Sequence, residues 1–357
     1  MRARAAWWLW ATLAACAAPA RLAVEPEPWP AADALFHSDP RWLGGDAVYS
    51  VDLGGDRILW LFGDSFVALD AQRDRRRSVM VRNTLAVQRG RDPTRATIAF
   101  HWQTADDGRP AAFFGDDGDI GYWPLHGIRL PNGPLLLFQT RVRNTPGKGL
   151  GFAIEGWRLV RVDDPDRDPQ QWRWREVATD ARPRDGVIGT AVWRDEEHVV
   201  ALGTRGNGPH CGFLARFAID PLRRDADGAL PMQVWTDTGW QDANGHEPTI
   251  VLDDAGPECS LDRVPGGWRH VHSCGFGATT VAERRARDVT GPWSAPRDLF
   301  TPPQSRGERP FVYAAKAHPA LDAGPGRVAI ATPPTPSPSP TCSRSRASTS
   351  STGPRSG

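Results

Sequence analysis

The chain lacks a surplus of charge of either sign, with 43 Lys+Arg against 42 Asp+Glu and a formal net charge of +1. A nucleic-acid binder needs a basic surplus to neutralise phosphates, so nucleic acid is not an expected partner. No apolar run, that near the N-terminus included, is long enough to span a bilayer. Long helical periodicity is missing too, which argues against a helical bundle. Tyr and Met are scarce at 3 each, and Cys numbers only 5. There is no G-x-S-x-G, no HExxH, no P-loop and no G-x-G-x-x-G leading into a helix. No cofactor is therefore expected. The run GDDGD at 115–119 resembles a calcium loop but lacks EF-hand spacing, and reads as a surface turn. No metal is expected either. What the chain does have is 36 Gly, 33 Pro and 16 Trp in 357 residues, the composition of many short strands and turns. Indole faces suit the apolar faces of sugar rings, which makes the Trp content a first hint of function.

The two ends differ from the body. Residues 1–20 place Arg2 and Arg4 before an apolar run from Ala5 to Leu13, the layout of an export signal. Leu13-Ala14-Ala15-Cys16 resembles a lipobox, in which Cys16 is lipidated, and ordinary cleavage after Ala20 is the alternative. Either way the protein is expected outside the cytoplasm, with residues 21–33 as a tether. A lipid anchor in the cell envelope or periplasm is then its one contact with a membrane. Residues 332–357 form a Pro/Ser/Thr/Arg-rich tail whose composition reads as disordered. Between these ends lie Cys211, Cys259 and Cys274. Folding the segment about Gly266-Gly267 sets Cys259 opposite Cys274, an expected disulfide, with free buried thiols as the alternative. His270 and His272 lack a C-x2-C companion and do not read as zinc ligands.

Short apolar runs that follow a turn signal recur along residues 34–331. They are ILWLFGDS after Gly55, PLLLFQTR after Gly133, HVVALGTR after Glu196, WRHVHSCG after Gly267 and RVAIAT after Gly326. Each has a strand-like run before the turn, and most have one or two after it. The spacing gives five units of roughly 65 residues, each with about four antiparallel strands. This is the signature of an all-β, five-bladed β-propeller, with a large β-sandwich as the alternative. In a propeller the first strand of each unit lines the central axis, and a ligand site sits at one mouth. That rule selects Asp46 and Asp64, which face each other when the first hairpin is folded about Gly55. Like charges opposed across two strands destabilise a sheet. Close carboxylates also split their pKa values, as glycoside hydrolysis requires of its acid and its nucleophile or base. The alternative is that both only shape turns. Equivalent mouth positions elsewhere hold Tyr122, Trp123, Gln139, Arg141, Arg205, Glu258, Tyr313, Lys316 and His318, a candidate pocket for a polyhydroxylated ligand. Trp172, Trp174, Trp235 and Trp293 fall on outer-strand runs and read as packing between blades.

The motifs RWLGGDAVYSVDLGGDRILWLFGDSF, RNTLAV, YWPLHGI, RARDVTGPWSAP and YAAKAHP together resemble the domain-of-unknown-function family numbered 4185, over about Trp42 to Ile330. That resemblance implies a five-bladed propeller akin to arabinanase and fructosidase propellers. It further implies endo-D-arabinanase-like activity, carried by the aspartates that stand here as Asp46 and Asp64. It also implies a further strand after Ile330. The Pro/Ser-rich tail stands in its place, so the last blade is expected to be incomplete and the tail to come from a shifted reading frame. The chain thus reads as an exported monomer that cleaves a furanose-containing (arabinan-like) or related polysaccharide with two carboxylates. The rival readings are a non-catalytic carbohydrate-binding propeller lipoprotein and a protein-binding scaffold.

Overall fold

The computed structural model describes residues 26–332 apart from 148–150, 181–185, 207–209, 225–229, 276 and 308–309. The signal with Cys16, residues 21–25 of the expected tether and the tail from residue 333 lie outside the described residues. Strands dominate, and among the described residues α-helix is confined to Pro30–Phe36 and Ile219–Arg224.

Four antiparallel sheets follow one another along the chain, each strand beside its predecessor in the sheet except Ile250–Leu252 of the third, which pairs back with Cys211–Ala218. The first contains Tyr49–Gly54, Arg57–Phe62, Thr84–Arg89 and Thr97–His101. Ile120–Arg129, Leu135–Asn144, Phe152–Val162 and Trp174–Asp180 make the second. The third runs from Gly186–Arg194 through His198–Arg205 and Cys211–Ala218 to a small outer hairpin, Met232–Thr236 with Gly239–Asp242. Cys259–Val264, Gly267–Ser273, Val281–Ala286 and Arg297–Phe300 form the fourth. A last ladder pairs Lys316–His318 with Ala329–Ala331 and has two strands among the described residues. The first strand of each sheet touches the first strand of the next, and Lys316–His318 touches both Cys259–Val264 and Tyr49–Gly54. The arrangement is all-β and propeller-like.

The sequence dictates this locally. Gly55 and Asp56 both have positive φ, +57° and +60°, as a two-residue hairpin turn of matching twist requires. The strand after it, Ile58-Leu59-Trp60-Leu61-Phe62, is at most 1% exposed throughout. Strand alternation divides it between two cores. Leu59 and Leu61 pack toward the second sheet, whereas Ile58, Trp60 and Phe62 pack with Trp42, Phe100 and the N-terminal Trp29 and Phe36. Each such buried side chain contributes about 1.5–3 kcal/mol. Trp residues serve mainly this packing. Trp60 donates its indole N–H to Gln88 (2.9 Å), Trp42 to Thr84 (3.0 Å), and Trp193 meets Trp268 edge-on at 5.0 Å. Trp235 packs on Trp240, Trp172 on Phe113 and Trp293 against His270; Trp174 touches Phe114 but remains 37% exposed.

The expected Cys259–Cys274 disulfide is not formed. The hairpin turns at Pro265-Gly266, one residue earlier than the expected Gly266-Gly267, because Val264 pairs with Gly267. That displaces the register by two residues, and Cys259 faces His272. Cys259 is buried, Cys274 is exposed beyond the strand end, and both are free thiols.

Candidate active site

Asp46 and Asp64 sit where the first sheet passes into a small three-stranded sheet of Trp42–Gly45, Ser65–Ala68 and Ser78–Val81. Tyr49 pairs with Leu61 on one side of the join and Gly45 with Ser65 on the other, so one register runs through both aspartates. The Asp46 amide donates to the Asp64 carbonyl (3.3 Å), and the Gly63 amide to the Asp46 carbonyl (3.0 Å). The expected cross-strand opposition of these residues is present. Gly63 is the side-chain-free floor of the join: a Cβ there would collide with Asp46 Oδ1.

The two carboxylates have different neighbours. Asp64 Oδ1 accepts from the Trp123 indole N–H (2.8 Å), and the Arg82 guanidinium donates to both Asp64 oxygens (3.2 and 3.4 Å). Arg82 also bonds Asn144. Asp46 Oδ2 accepts from the Tyr313 hydroxyl (2.5 Å). Enclosure pushes the Asp46 carboxyl up to about 7, with the nearby charge of Glu258 and then that of Asp64 adding to the rise; Tyr313 and Lys316 oppose it. Glu258 is itself paired with Lys316 (2.8 Å), one of only two lysines in the chain.

Asp46, Asp64, Trp123, Glu258, Tyr313 and His318 line one open groove. Its volume of about 2840 Å³ far exceeds the several hundred typical of a small-molecule pocket. It is large because it continues from the mouth into the space beside the two-stranded last ladder, lined there by Val328 and Ile330.

Other expected site residues lie elsewhere. Tyr122 is 1% exposed and carries the Arg158 guanidinium over its ring at 3.1 Å. Gln139 is fully buried and accepts from Arg158 (2.7 Å); Arg141 approaches Thr179. Alternation explains all three. Trp123 pairs with Thr140, and both line the groove; Tyr122 and its partner Arg141, like Gln139, must point to the opposite face. Arg205 turns outward to Glu247 (3.0 Å). Lys316 is 2% exposed and lies beneath the groove, not in it. His318 is 2% exposed, bonded through Nδ1 to Ser50 Oγ (2.8 Å) and packed on Trp60; burial, then Lys316 and His126, depress it to about 3. It is a neutral structural histidine, not a sugar-binding cation.

Sequence reasoning missed Arg82, Asn144 and Phe152. Phe152 meets Trp123 edge-on at 4.7 Å and continues its apolar surface along the groove. Arg82 opens the RNTLAV motif, but that motif gives it no role; it reaches the mouth because it follows the last strand of the small sheet, Ser78–Val81. Among the described residues, no group of three or more His, Cys, Asp or Glu side chains is placed to hold a metal ion.

The family described as Domain of unknown function (DUF5005) matches residues 31–332. This replaces the family numbered 4185 that the motifs suggested. No curated protein matches the chain. Among solved structures, a candidate hydrolase from Bacteroides ovatus ATCC 8483 is similar over 85% of this chain and 82% of its own, at 20% identity and a TM-score of 0.65. That likeness is one of fold. A GH43 protein from Bacillus licheniformis (12% identity, 78% of this chain and 46% of that one, TM-score 0.40) is more distant. So is an alpha-L-arabinanase from Cellvibrio cellulosa (15%, 81% and 86%, 0.34), and neither is close enough in shape to argue from.

Proposed function

The chain belongs to the DUF5005 family, and we propose that it is a glycoside hydrolase built as a five-bladed propeller with a reduced last blade. In this reading it is exported, anchored through Cys16, and acts as a monomer on a furanose-containing, arabinan-like or related polysaccharide. The observation that carries the reading is the opposed pair Asp46 and Asp64 on the floor of an open groove, with Asp46 raised to about 7 and Asp64 ion-paired to Arg82. A groove of this volume has room for a chain rather than a single sugar.

Asp46 is the general acid. Near neutral pH a substantial fraction of it keeps its proton, which it donates to the glycosidic oxygen as the C–O bond to the anomeric carbon breaks. Asp64 completes the pair, either by taking a proton from the attacking water or by attacking the anomeric carbon itself before water releases the sugar. Glu258 stays in place as the negative charge that keeps Asp46 protonated. Trp123 and Phe152 offer apolar faces to sugar rings, and Trp123 and Arg82 fix the Asp64 carboxylate. The test is a panel of polysaccharides assayed for both binding and new reducing ends. Cleavage by the wild-type protein that is lost in Asp64→Asn is the expected result. Binding without cleavage would establish a lectin instead, and undiminished cleavage in Asp64→Asn would sink the two-carboxylate mechanism.

A further inference from the structure

Beneath the groove, three residues that are not glycine hold left-handed backbone: Ala47 (φ +64°), Val48 (+54°) and Ala314 (+57°). Left-handed φ is strained for residues with a Cβ, most of all for β-branched Val. Asp56 and Asn132 have positive φ in hairpin turns and belong to tolerant residue types, and Arg73 (+55°) directly follows an exposed turn, whereas these three have neither a hairpin turn nor an exposed bend as their reason. Their neighbours supply one. Ala47 follows Asp46, and Ala314 follows Tyr313. The Val48 amide closes a three-residue turn onto the Asp46 carbonyl (2.8 Å), and that turn is what lifts the Asp46 carboxyl toward Tyr313. Strain of this kind persists only where the surroundings over-determine it, and it concentrates at functional sites.

We propose that Lys316 is a positioning residue that clamps the two strained corners bearing Asp46 and Tyr313 against each other. Its ammonium has three N–H donors and three acceptors within reach: the Ala47 carbonyl (2.5 Å), the Ala314 carbonyl (3.0 Å) and Glu258 Oε2 (2.8 Å). Two of the three are carbonyls of the strained residues themselves. The third ties in the acid whose charge bears on Asp46. The Tyr49 ring, 4.2 Å from Nζ, closes the remaining side. The strand that carries Lys316 is anchored independently, because Ser273 Oγ accepts from the Ala315 amide (3.0 Å) and Ser260 Oγ from the Ala317 amide (2.8 Å). The clamp thus joins the first and last sheets through the fourth. A counter-ion for Glu258 would need one of these bonds; a clamp needs the two to carbonyls.

The inference takes its catalytic meaning from the glycosidase reading, but its test does not depend on any glycan being cleaved. Amide hydrogen exchange is measured on the full chain for wild type, Lys316→Met and Glu258→Gln. In Lys316→Met, exchange across 44–49 and 312–316 is expected to rise about tenfold or more, with the outer strands unchanged. In Glu258→Gln the two carbonyl bonds remain, and exchange in both segments is expected to stay at the wild-type level. Unchanged exchange in a folded Lys316→Met, or an equal rise in Glu258→Gln, overturns the clamp. If Lys316→Met alone does not fold, adding Ala47→Gly and Ala314→Gly removes the strain that the clamp restrains, and the triple variant is expected to fold. Failure of that rescue overturns the proposal as well. Titration of the Asp46 carboxyl by 13C NMR supplies a readout that a purely structural lysine would leave alone. The groups facing Asp46 are Glu258, Tyr313, Asp64 and Lys316, and loss of Lys316 is expected to move its midpoint upward.

Discussion

Replacing Asp46 by Asn should stabilise the protein, by an amount that grows from about pH 4 and levels off just above pH 7. In the folded chain the Asp46 carboxyl lies at about 7 against an ordinary 3.8. A group raised on folding contributes stability that is complete below its unfolded pKa and is lost as pH rises through its folded one. For Asp46 the window runs from about pH 4 to about pH 7. A rise of roughly 3 pH units, at about 1.36 kcal/mol for each, means that ionised Asp46 costs the native state about 4 kcal/mol above pH 8. Asn is near in shape and never ionises, so Asp46→Asn removes that cost. At about 2–4 °C per kcal/mol for a domain of a few hundred residues, the variant should melt on the order of 8 °C higher than wild type at pH 8. At pH 4 the two should melt together. The assay is paired thermal unfolding of wild type and variant at both pH values, and the difference between them isolates residue 46 from every other titrating group. A variant shifted equally at pH 4 and pH 8, or destabilised at pH 8, would refute the buried-acid reasoning. A gain in stability on disarming the site is the usual signature of a strained functional centre.

Other consequences are equally open to test. Tyr313→Phe removes the hydroxyl that favours ionised Asp46, so the alkaline limb of the pH–rate profile should move up by about one unit, a charge-assisted hydrogen bond being worth about 1.5–3 kcal/mol. Gly63→Ala sets a methyl group against Asp46 Oδ1, and kcat should fall by about 100-fold or more with KM little changed. Trp123→Ala should raise KM and lower kcat together, since the indole both faces the groove and fixes Asp64. Cys259 and Cys274 should each take up a thiol alkylating agent after unfolding without reductant, read by intact mass; one alkylation event fewer at each would restore the disulfide.

Much of this arrangement was legible in the sequence, and the reasons are local. Hairpin arithmetic about Gly55 placed Asp46 opposite Asp64 because the left-handed Gly55-Asp56 turn, together with the one-residue register shift between Asp52 and Gly54, leaves the strands in that pairing. The same arithmetic failed at Cys259, where Pro265, Gly266 and Gly267 allow the turn to move by one residue. Tyr122 and Trp123 could not both face the mouth, since adjacent strand residues point to opposite faces; choosing Trp123 already excludes Tyr122, Gln139 and Arg141. Lys316 and His318 were placed on the correct strand, but their burial was hidden, because a fully satisfied ammonium here depends on acceptors from two distant segments, at Ala47 and Glu258, besides its own neighbour Ala314. Arg82 was illegible for a related reason. It reaches Asp64 through the small sheet of Trp42–Gly45, Ser65–Ala68 and Ser78–Val81, which interrupts the expected repeat.

The measurement that bears most directly on the central claim is hydrolysis of one oligosaccharide from the polysaccharide panel in H₂18O, followed by mass spectrometry for wild type, Asp46→Asn and Asp64→Asn. The account predicts one 18O atom at the newly exposed anomeric carbon with the wild-type protein, and product formation reduced at least about 1000-fold in both variants. Label incorporated at wild-type rates by either variant would contradict it.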